Sequence, residues 1–350
     1  MPATLWQQIH DDLASRIASG QLVPSAVLPT DVELAEQWGV SRLTAHRALY
    51  ELQRSGFVVR KRKIGTVVAE RPPTEKPNIA AIFMNVGHRF ESALLSSLST
   101  GFGDEVRLQV AESRHKPERE AELIETLSRE VDGIVLFPTC APENNDLIQR
   151  LVDRGYPLVV VDRYLEGVAC DAVLTDNYEV TRQGVQWLIE RGHRVIAHFT
   201  DFEAHVVSTA QRLQAFRDVI AEQMPGAAPL VRTFPYLAPE HSGEYEQAVQ
   251  LVHDSLHTLL ASANPPTALF CLRDLYAAAA VEACERLQVS VPGDLEILAF
   301  LDRRSLLVRR PEVLARIHQD LEEVGRIAAQ RVLERLSRGC SRAERFLVRA

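Results

Sequence analysis

Leu5, Ile9, Leu13 and Ile17 recur every fourth residue, which places them along one face of a first helix that Gly20 stops. In "LPTDVELAEQWGV", Thr30 followed three residues later by Glu33 forms a capping box: hydroxyl and carboxylate each satisfy an amide at a helix start. Leu34 and Ala35 face inward, and Gly39 ends this short second helix. Ser41 caps a third helix running to about Ser55, closed by Gly56. Its Ala45, Ala48, Leu49 and Leu52 share one face, while Arg42, Leu43, Thr44, His46 and Arg47 point away. Two short β-rich runs follow, "GFVVRK" and "GTVVAE", separated by "RKI", and predict a hairpin. Helix, helix, turn, helix and hairpin in that order predict a winged helix-turn-helix over residues 1–69. "ERPPTEKP" (70–77), rich in proline and charge, reads as a stiff linker.

From Asn78 the pattern changes. Short apolar runs ("IAAIFM", "VRLQVAE", "DGIVLF", "PLVVVD", "RVIAHF", "TALFCL", "LEILAFL") alternate with helical stretches at 117–130, 177–191, 208–224, 273–288 and 320–338. That alternation predicts βαβ units and parallel sheets covered on both faces, an α/β fold. At least seven strands in residues 78–350 suit two sheets better than one. Ligands of such sheets sit beyond the carboxyl ends of the strands, so a cleft between two lobes is the expected site.

The chain carries a formal net charge of −8, an awkward balance for a partner of a polyanion. The charge is unevenly spread: residues 40–69 hold Arg42, Arg47, Arg54, Arg60, Lys61, Arg62 and Lys63 against Glu51 alone. The "RKRK" run (60–63) at the hairpin tip can grip phosphates beside a groove, although a solvated basic turn has the same composition. The start lacks the basic and apolar regions of a secretory leader, and no window nears 18 uninterrupted apolar residues, so a cytoplasmic protein without a membrane partner is expected. Five scattered cysteines form no C-x-x-C pair and predict reduced, mostly buried thiols.

The stretch "LPTDVELAEQWGVSRLTAHRALYELQRSGFVVRKRKIGTVV" resembles the GntR-type winged-helix domain over residues 5–69. The resemblance implies DNA contacts from Ser41, Arg42 and Thr44 and a wing glycine at Gly65. It departs from the family where Val32, His46 and Lys63 replace an arginine, an arginine and a glycine, so Arg47 or Arg60, Lys61, Arg62 and Lys63 would supply the missing charge. His46 can hydrogen-bond a base or a phosphate.

The segment "VLTDNYEVTRQGVQWLIERGHRVIAHFT" resembles the LacI/GalR repressor core, as do "LVVVDR" (158–163), "STAQRLQAF" (208–216), residues 266–302 and "RIHQDLEEVGRIAAQRVLE" (316–334). This implies a periplasmic-binding-protein type I body over 78–350, with lobe 1 at about 78–175 and 302–318 and lobe 2 at about 176–301 and 319–350. A GntR-type head on that body is the arrangement of arabinose-repressor-like regulators. It implies a homodimer on a double-stranded operator, controlled by a small-molecule effector: a sugar, sugar acid or sugar phosphate.

Carried over position by position, the effector contacts fall on Asp162, Arg163, Ser208, Arg212, Arg273 and Asp302, with Phe90 either a stacking platform or a core residue. A carboxylate and a guanidinium facing each other suit vicinal hydroxyls. Asp162 with Arg163, or Asp302 with Arg303, could instead be surface ion pairs, and Arg273 could pair with Asp274. His193 reads as a structural turn residue. No metal-ligand spacing, nucleophile elbow or phosphate loop is present, so neither a metal, a cofactor nor a catalytic residue is expected. No lysine lies past Lys116, which opposes a fused Schiff-base domain. A transporter's solute-binding protein and a sugar-acting enzyme with a regulatory head are the competing readings.

Overall fold

The computed structural model describes residues 5–61, 64–69, 76–201, 206–237, 243–301, 314–338 and 343–349. Arg62, Lys63 and Asp302 lie outside them, as does most of the expected linker.

The head consists of α1 (Leu5–Ala18), α2 (Asp31–Trp38), α3 (Arg42–Arg54) and an antiparallel hairpin, β1 (Val58–Lys61) with β2 (Gly65–Val68). The capping box forms as expected: the Thr30 hydroxyl accepts from the Glu33 amide, and Glu33 accepts from the Thr30 amide at 2.8 Å. Ile9, Leu13, Ile17, Leu34, Ala45, Ala48, Leu49 and Leu52 close one apolar core with Val58 and Val68. Leu5, expected on the same face, opens α1 and stays half exposed. Gly65 starts the returning strand at φ +111°, a left-handed conformation that L side chains resist.

In the body, a six-stranded parallel sheet has the order β13 (Arg345–Val348), β7 (Asp171–Thr175), β6 (Leu158–Val161), β5 (Gly133–Leu136), β3 (Asn78–Phe83), β4 (Arg107–Glu112). A five-stranded parallel sheet has the order β12 (Ala315–Ile317), β11 (Glu296–Phe300), β10 (Ala268–Cys271), β8 (Ile196–Asp201), β9 (Leu230–Phe234). Helices cover both faces. α4 (Arg89–Phe102), α5 (Pro117–Glu130), α6 (Asn145–Asp153) and α11 (Leu321–Arg338) serve the first sheet. α7 (Asn177–Glu190), α8 (Val207–Gln223), α9 (Glu244–Leu260) and α10 (Asp274–Arg286) serve the second. Every residue of β5 and β6 is buried, which is why their runs are uninterruptedly apolar.

The lobe boundaries expected after residue 301 are corrected by the strand pairing. β12 extends the second sheet, pairing Leu298 with Ala315, so residues 315–317 belong to lobe 2. α11 and β13 return to lobe 1, where β13 pairs with β7 and the α11 residues Val324, Ala328, Ala329 and Val332 join the core of the first sheet. The physical anchor is a buried ion cluster. Asp171 on β7 accepts from Arg331 at 2.6 Å and from Arg335 at 2.7 Å, and also from the Glu344 amide at 2.8 Å.

α4 and α11 pass so closely that a Cβ on Gly325 would stand 2.5 Å from the Ser97 Cβ and 2.7 Å from its carbonyl carbon. Gly325→Ala is therefore expected to destabilise lobe 1 by about 1–3 kcal/mol through overpacking, read as a lower denaturant midpoint at unchanged slope.

Candidate functional site

Two surfaces gather the residues singled out in the sequence. The first is the outward side of α3 and the hairpin. Ser41 caps α3: its Oγ accepts from the Thr44 amide at 3.2 Å and shares a 2.8 Å hydrogen bond with the Thr44 hydroxyl. Arg42 is exposed at the start of the helix. The Arg47 guanidinium lies 4.6 Å over the Trp6 ring, which fixes its stem against α1. His46 Nδ1 meets an Asp31 carboxylate oxygen at 3.0 Å, and Arg60 approaches both His46 Nδ1 at 3.4 Å and Asp31 at 3.8 Å. One ring nitrogen cannot donate to Asp31 and accept from Arg60 at once. The shorter contact, to a charged acceptor, wins, so Nδ1 carries the proton and Arg60 is held by the Asp31 charge. Asp31 thus ties the wing to the recognition helix. Sequence reasoning missed it because it sits in the capping turn of α2, fifteen residues before His46. Lys61 is exposed at the end of β1, and Gly65 starts β2.

The second surface is a cleft of about 1270 Å³ between the lobes. It brings together Phe90, Asp162, Arg163, Ser208, Arg212 and Arg273, every expected effector residue that lies among the described residues. Asp162 leaves the end of β6 at φ +65°, an unusual conformation for a residue other than glycine, of the kind found where a side chain must be aimed. Arg163 lies 3.6 Å from Asp162 and 5.0 Å over the Phe137 ring. Both side chains are largely buried, so this is not the surface ion pair that the sequence left open. Phe90 packs against Phe137 at 6.1 Å between centroids and also lines the cleft.

Ser208 lies in the first turn of α8 and Arg212 one turn later. The Arg212 fork is held from three directions: Nε donates to Asn177 at 2.9 Å, one Nη to the Leu272 carbonyl at 2.9 Å, the other to Gln319 at 3.4 Å. Its face stacks 3.5 Å over Phe300. Burial pulls its pKa down to about 10, opposed by the charges of Asp162 and Asp201. Arg273 pairs with Asp201 at 3.0 Å and donates to the Leu237 carbonyl at 2.7 Å, with Tyr236 and Tyr276 against its face. Burial opposes the Arg273 charge, but Asp201 and the two tyrosines more than offset it, and its pKa is raised.

Gln319, Asp201 and Glu91 complete the cleft, with Asn177 behind Arg212, and none of the four was singled out as a site residue in the sequence. Gln319 and Asn177 hold Arg212, and Gln319 also donates to the Thr175 hydroxyl at 2.9 Å, linking segments of both lobes. Glu91 is buried, accepts from the Asn85 amide at 2.7 Å, and has its pKa pushed up to about 7 by burial, against the pull of Asn85 and Arg163. Its folded pKa thus lies above the ordinary 4.5, so the neutral form contributes stability that is complete below about pH 4.5 and lost as pH rises through about 7. Glu91→Gln is expected to remove that loss, gaining on the order of 1–3 kcal/mol over the native chain at alkaline pH and little in acid. Denaturant titrations at both ends of the window check it.

Elsewhere, His193 bridges Thr267 at 2.9 Å and Glu296 at 2.7 Å in the helix-to-strand turn, the structural role expected of it. Cys140, Cys170, Cys271 and Cys284 are buried and unbridged. Among the described residues no group of three or more His, Cys, Asp or Glu is placed to hold a metal, and no helix is long and apolar enough to cross a membrane.

A winged-helix head joined to a two-lobed, cleft-bearing body defines a ligand-responsive transcription regulator. Residues 5–68 match the family of bacterial regulatory proteins termed gntR, and residues 185–349 match the periplasmic binding protein-like domain. The head thus carries the gntR match and the body the periplasmic binding protein-like match, the combination of a DNA-binding transcription regulator. It is 28% identical over 305 residues to the arabinose metabolism transcriptional repressor of Geobacillus stearothermophilus, covering 84% of this chain and 81% of the relative. It is 28% identical over 327 residues to the HTH-type transcriptional regulator GntR of Escherichia coli, covering 88% and 92%. Among solved structures, the complex of transcriptional regulator CelR with cellobiose aligns with a TM-score of 0.64 at 22% identity, over 92% of this chain and 97% of that one. Transcription regulator CcpA of Lactococcus lactis aligns with a TM-score of 0.63 at 19% identity, over 78% and 96%.

Proposed function

We propose that a sugar or sugar derivative bound in the interlobe cleft switches a homodimer of this chain on and off a two-fold symmetric operator, acting as a repressor in the cytoplasm and carrying out no catalysis. The observation that carries this reading is Arg212: a buried guanidinium fixed from three sides, in a cleft that also holds the Asp162 carboxylate at the end of a lobe 1 strand. Such a pair recognises vicinal hydroxyls, the carboxylate accepting and the fork donating. Relatives named for arabinose metabolism and a structural neighbour holding cellobiose agree with that ligand class.

Effector binding closes the lobes and shifts the two heads. A coupling of about 1–3 kcal/mol suffices, and an inducer must in turn bind more weakly to the DNA-bound protein. The test is a thermal-shift screen of the full chain against sugars, sugar acids and sugar phosphates. A ligand at about 100 times its Kd adds roughly 2.7 kcal/mol. A screen with no shift in any class overturns the ligand reading, and chemical conversion of a hit, followed by mass spectrometry, overturns the non-enzymatic one. On the DNA side, Ser41, Arg42, Thr44, His46, Arg47, Arg60, Lys61 and Gly65 form the contact surface. Arg42→Ala is expected to weaken operator binding by about 1–3 kcal/mol if the guanidinium reads a base, as measured by fluorescence anisotropy. A strictly monomeric chain at micromolar concentration would overturn the symmetric operator.

A further inference from the structure

The outward face of α3 carries an apolar group that the contacts described so far do not use. Ala45, Ala48, Leu49 and Leu52 are buried, which turns the opposite stripe to solvent: Leu43, Arg47, Tyr50 and Arg54, one to each turn. Leu43 is 77% exposed, the highest value among the exposed large hydrophobic residues described, and Tyr50 on the same stripe is 55% exposed. Leu43 stands in the first turn, the part of a recognition helix that meets base edges. Cations share this side of the head: Arg42 is adjacent in sequence, Arg47 lies one turn on, and Arg60 and Lys61 stand exposed on the hairpin. The occupant of this face is therefore a polyanion rather than another apolar protein surface.

The hydroxyls of the same turn are partly engaged with each other. The Ser41 and Thr44 hydroxyls bond to each other at 2.8 Å, and Ser41 also takes the Thr44 amide. Besides the hydroxyl donor that this pair leaves free, the first turn offers a groove the Arg42 guanidinium and the Leu43 isobutyl group. In the major groove one base edge rewards an apolar side chain, that of thymine, through its C5 methyl.

We propose that Leu43 is a specificity-determining residue that reads a thymine methyl, so that each operator half-site carries a T·A pair opposite it. The assignment rests on the DNA-binding reading of the head. It is tested with the full-length chain by selecting duplexes from a random-sequence library, then replacing each thymine of the enriched duplex singly by deoxyuridine, which removes only the methyl. Affinities are compared for the native chain and for Leu43→Ala. One thymine per half-site is expected to lose about fourfold in affinity without its methyl, the worth of one buried methyl group. Leu43→Ala should bind the thymine and uracil forms alike. The proposal is overturned if every thymine tolerates the replacement, if Leu43→Ala keeps the same discrimination, or if that variant melts well below the native chain, which would make Leu43 a packing residue. A library that yields no enriched sequence would overturn the DNA-binding reading itself, a different result from enrichment without a methyl effect.

Discussion

Asp171→Asn is expected to lower the stability of the body by about 3–5 kcal/mol, the cost of removing one partner from a buried ion pair. The Asp171 side chain is fully buried, with the Arg331 and Arg335 guanidinium groups both within 2.7 Å of its oxygens. The amide keeps the volume but not the charge, and leaves two desolvated cations, of which Arg331 can still lean on Glu334 at 3.1 Å and Glu344 at 3.6 Å. Burial opposes the Asp171 charge, yet the bonds from Arg335 and Arg331 outweigh it and hold the carboxyl below its usual range. A depressed folded pKa contributes stability that is present above the unfolded value and is lost as pH falls through the folded one. The native chain should therefore weaken toward low pH while the variant changes less, and denaturant melts across the acid range check both points. An unchanged midpoint would mean that β13 and α11 are held by packing alone.

The second large effect concerns the cleft. Arg212→Ala is expected to weaken effector binding by about 2–5 kcal/mol, the loss seen when one partner of a buried charged contact is truncated. The readout is the ligand-induced rise in melting temperature, using whichever sugar, sugar acid or sugar phosphate shifts the native chain. Arg212→Lys should not restore it, because a lysine cannot reach Asn177, the Leu272 carbonyl and Gln319 with one planar fork. Operator affinity without ligand should stay near that of the native chain, whereas release by the effector should vanish. Retained release in Arg212→Ala would move the ligand site elsewhere.

The head was legible because its signals are local. A capping box, an N-cap serine and a four-residue core period each span a single element, and the structure places Thr30, Ser41 and the Ala45–Leu52 face accordingly. The alternation of strands and helices likewise exposed the two-sheet body. What escaped was set by distant pairing. β13 is a four-residue edge strand whose partner, β7, lies more than 160 residues earlier, and nothing in "RFLV" says which sheet it joins. β12, at three residues, is shorter still. In the cleft, the expected arginines and Asp162 came from motif positions, but Gln319 and Asn177 act by holding Arg212, a role visible only once the 141 intervening residues have folded between them. Asp201 escaped for a related reason. As the last residue of β8 it reads as a strand terminus until Arg273 arrives beside it.

The return of β13 to the first sheet also sets an order of events on the ribosome. The second sheet draws all its strands from residues 196–317, so it can close while the rest of the chain is still being made. The first sheet begins at residue 78, yet its β7 edge and the α11 side of its core wait for residues 321–348. Translation thus finishes the inner lobe before the outer one, against the usual amino-to-carboxyl order of domain folding. The apolar residues of β3, β5, β6 and β7 that face α11 are the surface a nascent-chain chaperone would meet during that wait.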